Sequence, residues 1–317
     1  MTAPTETATT PAPAKPVTQL GDRIFAGSAK GAGILILVVL AGVAAFLVAQ
    51  AFPAVVASPA ELPGERSLAA YIGPLVFGTV LAAVIALIIA TPLAIAVALF
   101  ITHYAPRRIA QGLAYVVDLL AAVPSIVFGL WGAFTLAPAA LGLMTWLHTY
   151  LGWLPFFAGP VSVTGRTMLV VGVTLAVMIL PIITAVSREV FLQTPKLHEE
   201  AALALGATRW EMIRMAVLPF GRSGIISGAM LGLGRALGET MAVAIILSAS
   251  GAVTFNLISS DNPSTIAGNI ALQFPDSTGL AVNTLIASGL VLFVITLLVN
   301  ALARFIVNRR REFSGAN

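Results

Sequence analysis

Charged residues are scarce in this chain of 317 residues. It contains 17 Lys and Arg and 13 Asp and Glu, about 9% of the chain, whereas soluble domains carry roughly 25%. Apolar residues make up 58%. So few charges cannot cover a soluble body of this length, and the composition therefore excludes a water-soluble globular protein. The net charge of +4 does not indicate nucleic-acid binding either, because the basic residues are scattered between apolar runs.

Cysteine is absent, which excludes disulfides, thiolate metal sites and a cysteine nucleophile. The three histidines are not spaced as metal ligands, so we expect no metal site. The three lysines, Lys15, Lys30 and Lys196, precede Pro, Gly and Leu, and none lies in the Gly-Lys-Ser/Thr sequence with which a P-loop holds phosphates. We therefore predict a chain that is not an enzyme, does not hydrolyse ATP by that route and holds no cofactor.

Six apolar stretches are long enough to cross a bilayer, which takes about 20 helical residues. They lie near Gly31–Phe52, Ile72–Ile101, Gly112–Leu136, Thr167–Val186, Gly224–Leu247 and Thr284–Ile306. The sequence thus predicts an all-α, polytopic membrane protein. We expect residues 1–30 to be a disordered cytoplasmic tail, residues 31–308 to form the membrane domain, and residues 309–317 to be a basic cytoplasmic tail.

The distribution of basic residues predicts the topology, because cytoplasmic flanks carry the excess of Lys and Arg. With six spans and the N-terminus inside, 14 of the 17 basic residues fall in cytoplasmic segments, and two, Arg66 and Arg166, fall outside. If residues 138–157 also crossed the membrane, only 6 would lie inside and 10 outside. We therefore predict six spans with both termini in the cytoplasm, and residues 138–157 as an outer segment at the membrane interface.

Three ionisable residues fall within the apolar stretches: Arg235 and Glu239 in the fifth, and Asp118 near the inner end of the third. Such groups usually face a bundle interior, a partner or a water-filled path. On a continuous helix Arg235 and Glu239 would share one face with Gly228 and Gly232 and would lie one turn apart. Two interpretations stay open: an ion pair that stabilises helix packing, or a transport path in which Arg235 meets an anionic solute. Asp118 is expected to be hydrated at the boundary.

The longest predicted cytoplasmic segment, residues 188–222, indicates two short helices. Gly206 is placed to end the first in a left-handed conformation. Thr208 and Glu211 have the S/T-x-x-E spacing of a capping box that starts the second, and Pro219 is expected to interrupt it. Acidic and basic residues are mixed in this segment, which favours a docking surface for a cytoplasmic protein over one for nucleic acid.

Several stretches of this chain resemble a known family of membrane proteins. The stretches are Glu200-Ala201-Ala202, Gly206, Leu218-Pro219, Asp118–Ser125, Gly129–Gly132 and Gly232–Thr240. The first three resemble the EAA loop of bacterial ABC importer permeases, although Ala216 stands where that pattern often has Ile. The last three are similar to phosphate importer permeases of the PstC type, and the resemblance extends over roughly residues 30–310.

The resemblance implies a type I ABC importer permease fold and an EAA helix that docks on a separate ATPase. Glu200, Ala201, Ala202 and Gly206 would then couple the ATPase to the spans. The implied partners are a second permease subunit of the PstA type, ATPase subunits of the PstB type that hold ATP and Mg, and an extracytoplasmic phosphate-binding protein of the PstS type. The chain would lie in lipid, in the cytoplasmic membrane of a bacterium.

Phosphate import would give the buried arginine a role. A guanidinium stays charged and offers bidentate donors that suit a partly dehydrated phosphate. We therefore place Arg235 on the substrate pathway, with Glu239 holding it when the path is empty and Ser125 adding a hydroxyl contact. A permease for another oxyanion, sulfate or molybdate, is the alternative. A secondary transporter is a further one, for which inverted repeats and broken spans would be expected.

Overall fold

The first helix, α1 (Leu20–Val56), begins inside the predicted tail. The computed structural model describes residues 20–311, with side chains for residues 21–305. Residues 20–30 are helical, so the prediction of a tail extending to residue 30 is wrong for them, and residues 1–19 lie outside the described part. The described residues up to 47, which are residues 20–47, form a unit separate from the rest of the chain. Within it the apolar side chains of α1 are exposed, Leu37 by 67%, as suits a helix surrounded by lipid.

The second unit contains the other helices and short 3-10 turns. They are α2 (Leu68–Tyr104), α3 (Arg107–Ala121), α4 (Ser125–Leu151), α5 (Met168–Leu192), α6 (Lys196–Ala204), α7 (Arg209–Gly238), α8 (Met241–Ile246), α9 (Ile266–Gln273) and α10 (Leu280–Arg311), with 3-10 turns at Pro59–Glu61, Pro63–Glu65 and Phe274–Asp276.

Six of these helices, α1, α2, α4, α5, α7 and α10, are long and apolar enough to cross a membrane. The predicted all-α fold with six spans is therefore confirmed for the described part of the chain. The backbone of α10 continues to Arg311, so residues 309–311 of the predicted basic tail are helical, and residues 312–317 lie outside the described part.

Helix α5 is the most buried of the six candidate spans, and both α2 and α7 pack along it. Its residues Leu175, Ile179 and Ile183 are almost completely buried. Side chains of α2 and α7 complete this core, because Ala86 and Ala90 of α2 are buried in the same cluster. The centre of the second unit is therefore dry and close-packed.

Glycines let α7 approach α5 closely, as the predicted small-residue face requires. A methyl group at Gly228 would lie 3.2 Å from Val186 Cβ, and one at Gly232 would lie 3.1 Å from Ile183 Cγ1. As the residue numbers rise along α7 they fall along α5, so the two helices are antiparallel. Gly228 and Gly232, which the sequence placed on one face, therefore lie where α7 packs on α5.

The third span differs from its prediction over Gly112–Leu136. Residues 107–121 form the separate helix α3, in which Val117 is buried and Asp118 is exposed. The chain then turns at Pro124, because a proline disfavours helical geometry at the residue before it. The candidate span is α4, Ser125–Leu151. Residues 138–151 therefore belong to a span, and only residues 152–157 lie beyond its end.

Three π turns lie just before prolines. They are Phe100–Tyr104 before Pro106, Gly132–Leu136 before Pro138, and Ile213–Val217 before Pro219. A proline lacks the N–H for the usual helical bond and its ring crowds the preceding turn. The wider π turn accommodates this in α4 and α7. Pro219 therefore does not interrupt its helix, contrary to the sequence prediction.

An irregular segment, residues 247–265, connects α8 to α9 and folds against the start of α5. Asn262 is completely buried and anchors this segment. Its Nδ2 donates to Ser259 O at 3.0 Å and to Ser248 O at 3.1 Å, while its Oδ1 accepts from Met168 N at 3.1 Å. Backbone groups without regular secondary structure are thereby satisfied, as burial requires.

The close approach of α7 to α5 predicts a difference between two glycine substitutions on the same helix. A methyl group at Gly224 would collide with the Val190 side chain, whereas one at Gly234 would meet nothing within 4 Å. We expect Gly224→Ala to destabilise the purified protein by about 1–3 kcal/mol through overpacking. Gly234→Ala, with the same gain in helix propensity of about 1 kcal/mol, should be neutral or stabilising. Thermal unfolding in one detergent measures both, and equal melting temperatures would contradict the prediction.

Candidate functional site

The fifth predicted span is broken at Glu239. Helix α7 ends at Gly238, and Glu239 has an extended backbone with φ −69° and ψ 126°. Its carboxylate is buried, and Oε1 accepts a hydrogen bond from Ala242 N at 3.2 Å. That N–H lies in the first turn of α8, where it has no partner within the helix. Glu239 therefore stabilises the start of α8, and the predicted continuous helix over Gly224–Leu247 is wrong.

Arg235 lies one turn before this break and is half-buried. Its Nε is buried and has no hydrogen-bond partner among the described residues. No described carboxylate lies within 4.0 Å of its guanidinium. The expected ion pair with Glu239 is not formed, because the chain leaves the helical path there. Arg235 thus keeps an uncommitted donor inside the protein.

The depth of Arg235 follows from the packing of α7 on α5. Gly228 lies beside Val186, and Gly232 lies beside Ile183 and Ile179. Arg235 lies about one turn further along α7 than Gly232. Because the helices are antiparallel, it is level with the part of α5 between Met168 and Ile179. Since α5 is itself a candidate span, the guanidinium group is attached well inside the membrane-spanning part of the fold.

Ser125 is the first residue of α4 and is half-buried. Helices α4 and α8 run side by side and parallel: a methyl group on Gly129 would lie 2.9 Å from Ala242 Cα, and one on Gly132 would meet Ile246. One turn before the first of these contacts, the start of α4 is level with the break at Glu239. The fold therefore brings Ser125 to the level of the two predicted pathway residues, whereas Asp118 is exposed on α3.

The second candidate site is the segment that contains α6. This helix ends in a Schellman motif at Gly206, which has φ +85°. Gly206 N donates to Leu203 O at 3.0 Å, and Ala207 N donates to Ala202 O at 3.2 Å. The predicted helix-ending role of Gly206 is confirmed. A methyl group there would meet nothing within 4 Å, so the requirement for glycine comes from the backbone conformation alone.

The predicted capping box follows directly. Glu211 N donates to Thr208 Oγ1 at 3.3 Å, and Thr208 N donates to Glu211 Oε2 at 2.7 Å. These reciprocal bonds begin α7 at Arg209, with only residues 205–208 between it and the end of α6 at Ala204. Two caps with a very short connection between them hold α6 at a defined angle to α7. The segment is therefore a folded unit, as the sequence predicts.

The face of α6 that points away from the bundle is exposed. Glu200, Ala201 and Gly206 are exposed, whereas Ala202 packs on a small apolar cluster that includes Phe191 and Ile213. Large apolar side chains remain exposed on and around α6: Leu192 61%, Leu197 73%, Leu205 89%, Trp210 55% and Met215 59%. Apolar side chains among exposed charges indicate a surface that a protein partner covers.

A contact between a histidine and a carboxylate joins α6 to the end of α2. His103 Nε2 lies 3.6 Å from Glu199 Oε1, and the two side chains are only 10% and 23% exposed. Thr102 Oγ1 lies 2.6 Å from His103 Nδ1 on the other side of the ring. Among residues 21–305 no other oppositely charged side chains lie within 4.0 Å of each other. The contact gives α6 a polar attachment to a long candidate span.

Sequence reasoning missed both the break at Glu239 and the contact between His103 and Glu199. The break has a local signal, since Gly238 can end a helix and Thr240 can precede one. The contact has none, because 96 positions separate His103 from Glu199 and only the fold brings them together. Within the described residues no group of three His, Asp or Glu side chains converges as metal ligands would.

Six membrane-length helices, with a short exposed helix between the fourth and fifth, define the class of multi-pass membrane proteins to which this chain belongs. Residues 90–312 match the family described as "Binding-protein-dependent transport system inner membrane component", and the chain belongs to this family. It is therefore a permease subunit of an importer rather than an enzyme in its own right.

Named relatives are similar over nearly the whole chain. It is 46% identical over 298 residues to "Phosphate transport system permease protein PstC 2" of Mycobacterium tuberculosis, which covers 90% of this chain and 91% of that protein. It is 46% identical over 305 residues to "Phosphate transport system permease protein PstC" of Mycobacterium leprae, with 93% and 95% covered. The protein of the same name from Mesorhizobium japonicum is 38% identical over 310 residues, with 94% and 93% covered.

Solved structures support the fold alone. A chain of a bacterial ABC transporter involved in the import of the acidic polysaccharide alginate has a TM-score of 0.55 and 16% identity, and covers 90% of this chain and 99% of its own length. A chain of the MetNI methionine ABC transporter has a TM-score of 0.50 and 16% identity, with 76% and 95% covered. The predicted ABC importer permease fold is therefore confirmed, while the orientation of the termini stays a prediction.

The Schellman motif predicts how Gly206 responds to substitution. Gly206→Ala places a Cβ in the left-handed conformation, which costs about 1–2 kcal/mol, without creating a contact. We expect the amides of Gly206 and Ala207 to exchange hydrogen about tenfold faster, as measured by mass spectrometry on the purified importer. Gly206→Asn should change exchange less, because asparagine tolerates this conformation. Unchanged exchange in the alanine variant would contradict the motif.

Proposed function

We propose that this chain is a membrane subunit of an ATP-driven importer that carries inorganic phosphate across the cytoplasmic membrane of a bacterium. The observation that carries the proposal is 46% identity over 90% or more of the chain to permeases named for phosphate transport. The proposal includes both termini in the cytoplasm, which the positive-inside count favours. The names of these relatives do not favour the sulfate or molybdate alternative.

Arg235 supplies the substrate contact in this proposal. Its guanidinium lies at membrane depth, and its Nε has no partner among the described residues. A charged donor that is desolvated and uncommitted attracts an anion strongly, and a guanidinium binds a phosphate through two parallel hydrogen bonds. Phosphate would therefore replace water lost on entering the path with contacts to Arg235.

The sequence analysis expected Glu239 to hold Arg235 when the path is empty. In the structure Glu239 has a different partner. Its carboxylate accepts a hydrogen bond from Ala242 N at 3.2 Å. We assign it to the maintenance of the broken helix beside Arg235. Ser125, at the same level on α4, is proposed to add a hydroxyl contact to the passing anion.

The exposed segment that contains α6 supports docking to an ATPase that is a separate chain. The exposed residues Glu200, Ala201 and Gly206 and the apolar side chains around them are proposed to dock on an ATPase subunit of the PstB type, which would hold ATP and Mg. A second permease of the PstA type would complete the path. A phosphate-binding protein of the PstS type would deliver the anion from outside.

Removal of the guanidinium tests the pathway. We expect Arg235→Ala to lower phosphate uptake by about 100-fold or more, because two charge-assisted hydrogen bonds of about 1.5–3 kcal/mol each are lost. Arg235→Lys, which keeps the charge but not the fork, should be intermediate. Labelled phosphate uptake into proteoliposomes holding the whole importer is the measurement, with co-purification of the ATPase as the assembly control. Wild-type uptake by an assembled alanine variant would refute the role.

Two substitutions of Glu239 separate its charge from its hydrogen bond. Glu239→Gln keeps an oxygen that can accept from Ala242 N, whereas Glu239→Ala leaves that donor unsatisfied at a cost of about 1–3 kcal/mol. We expect the glutamine variant to match the wild type in melting temperature and the alanine variant to melt several degrees lower. Equal destabilisation by both would show that the carboxylate charge, rather than the acceptor, stabilises the break.

A further inference from the structure

A cavity of about 350 Å³, lined by both polar and apolar residues, lies at the end of α2 that is opposite to His103. Its walls come from three parts of the second unit: the start of α2, the irregular segment near Ser250, and α9. The polar side chains that line it are Arg66, Tyr71, Ser250, Ser264, Asn269 and Gln273. None of the lining residues is acidic, although Glu65 precedes Arg66 and Asp261 lies in the irregular segment. The cavity therefore presents one cation and several neutral polar groups.

A chain of hydrogen bonds fixes the orientation of three of these side chains. Asn269 Nδ2 donates to Tyr71 Oη at 2.9 Å, and Tyr71 Oη donates to Gln273 Oε1 at 2.8 Å. Because the amide oxygen of Gln273 is thus used as an acceptor, its NH₂ group is left to donate. The NH₂ group of Gln273 is therefore the neutral donor that this chain of hydrogen bonds leaves at the cavity that Arg66 also lines.

The backbone before Arg66 has an unusual conformation. Gly64 has φ +72° and Glu65 has φ +52°, and among the described residues no other non-glycine residue has a positive φ. Such a conformation costs about 1–3 kcal/mol and persists where the surrounding structure fixes it. It turns the chain sharply, so that Arg66 leaves the 3-10 turn at Pro63–Glu65 and lies at the cavity directly before α2. The position of the cation is therefore determined by the fold.

We propose that this cavity is a weak, outer binding site for inorganic phosphate, through which the anion passes before it reaches Arg235. The proposal rests on the proposed function for the identity of the anion. Arg66 supplies charge, and the NH₂ group of Gln273 supplies a neutral donor, a combination that suits a tetrahedral oxyanion. Because the site is open to water, its single cation is screened, and the site therefore binds phosphate weakly enough to release it inward.

The absence of cysteine from the chain provides a direct test. Ser250→Cys places one thiol at the cavity wall, and membrane-impermeant methanethiosulfonates, one anionic and one cationic, modify it in the assembled importer. Mass spectrometry of this chain gives both rates. We expect the ratio of the anionic to the cationic reaction rate to be higher when Arg66 is present than in Arg66→Gln. Added phosphate should slow modification by about tenfold at about ten times its Kd, more than chloride at equal ionic strength.

Matched variants locate the effect. Arg66→Gln should abolish protection by phosphate, and Arg66→Lys should keep part of it. Arg166→Gln removes the other basic residue predicted outside, which does not line the cavity, and should leave protection intact. Protection should also survive in Arg235→Ala, because this measurement does not need transport. If phosphate uptake did not depend on Arg235, the pathway role of Arg235 would be refuted. The protection measurement would still test the outer site independently.

Four results would overturn the outer site. The thiol at position 250 could be unreactive in the assembled importer, which would show that the cavity is covered. Phosphate could give no protection, or protection could persist in Arg66→Gln. Finally, protection could be present without added phosphate and disappear when phospholipid is removed with detergent. That result would assign the same donors to a lipid headgroup.

Discussion

The close approach of α7 to α5 is the contact on which both the core and the candidate pathway depend. It requires glycine on α7 wherever a branched side chain of α5 faces it, because no other residue leaves room. This antiparallel packing fixes how far Arg235 lies from either end of α5. Helix α7 ends at Gly238, and α8 then packs against Gly129 and Gly132 of α4. A single row of small residues on α7 therefore sets the level of the charged group.

Within a bilayer every backbone polar group needs a partner in the protein, and the irregular parts of this chain meet that requirement in different ways. At the break before α8 the Glu239 carboxylate accepts a hydrogen bond from Ala242 N. In residues 247–265 the buried side-chain amide of Asn262 donates to the backbone carbonyls of Ser248 and Ser259. Before Pro138 and Pro219 the chain forms π turns, in which Ala137 N donates to Gly132 O and Leu218 N donates to Ile213 O. Polar side chains and prolines in this apolar chain are thus concentrated where regular helices stop or change.

The elements predictable from sequence were those with a local cause. Gly206, Thr208 and Glu211 could be assigned because helix ends depend on neighbouring residues, and the six spans because hydrophobic length is a local property. The break at Glu239 was missed because average hydropathy over a span does not report backbone geometry. The same average merged the end of α3 with the start of α4 across Pro124. The pairing of His103 with Glu199 depends on the packing of helices distant in sequence, which no local pattern contains.

Helix α2 contacts both the segment that contains α6 and the cavity near Arg66. Helix α2 has 37 residues and is therefore about 55 Å long. At one end His103 contacts α6, and at the other Tyr71 belongs to the wall of the cavity. Between them the helix is continuous, and its prolines, Pro74 and Pro92, are the points at which it bends most easily. Helix α2 is therefore a single element that contacts both the segment containing α6 and the cavity.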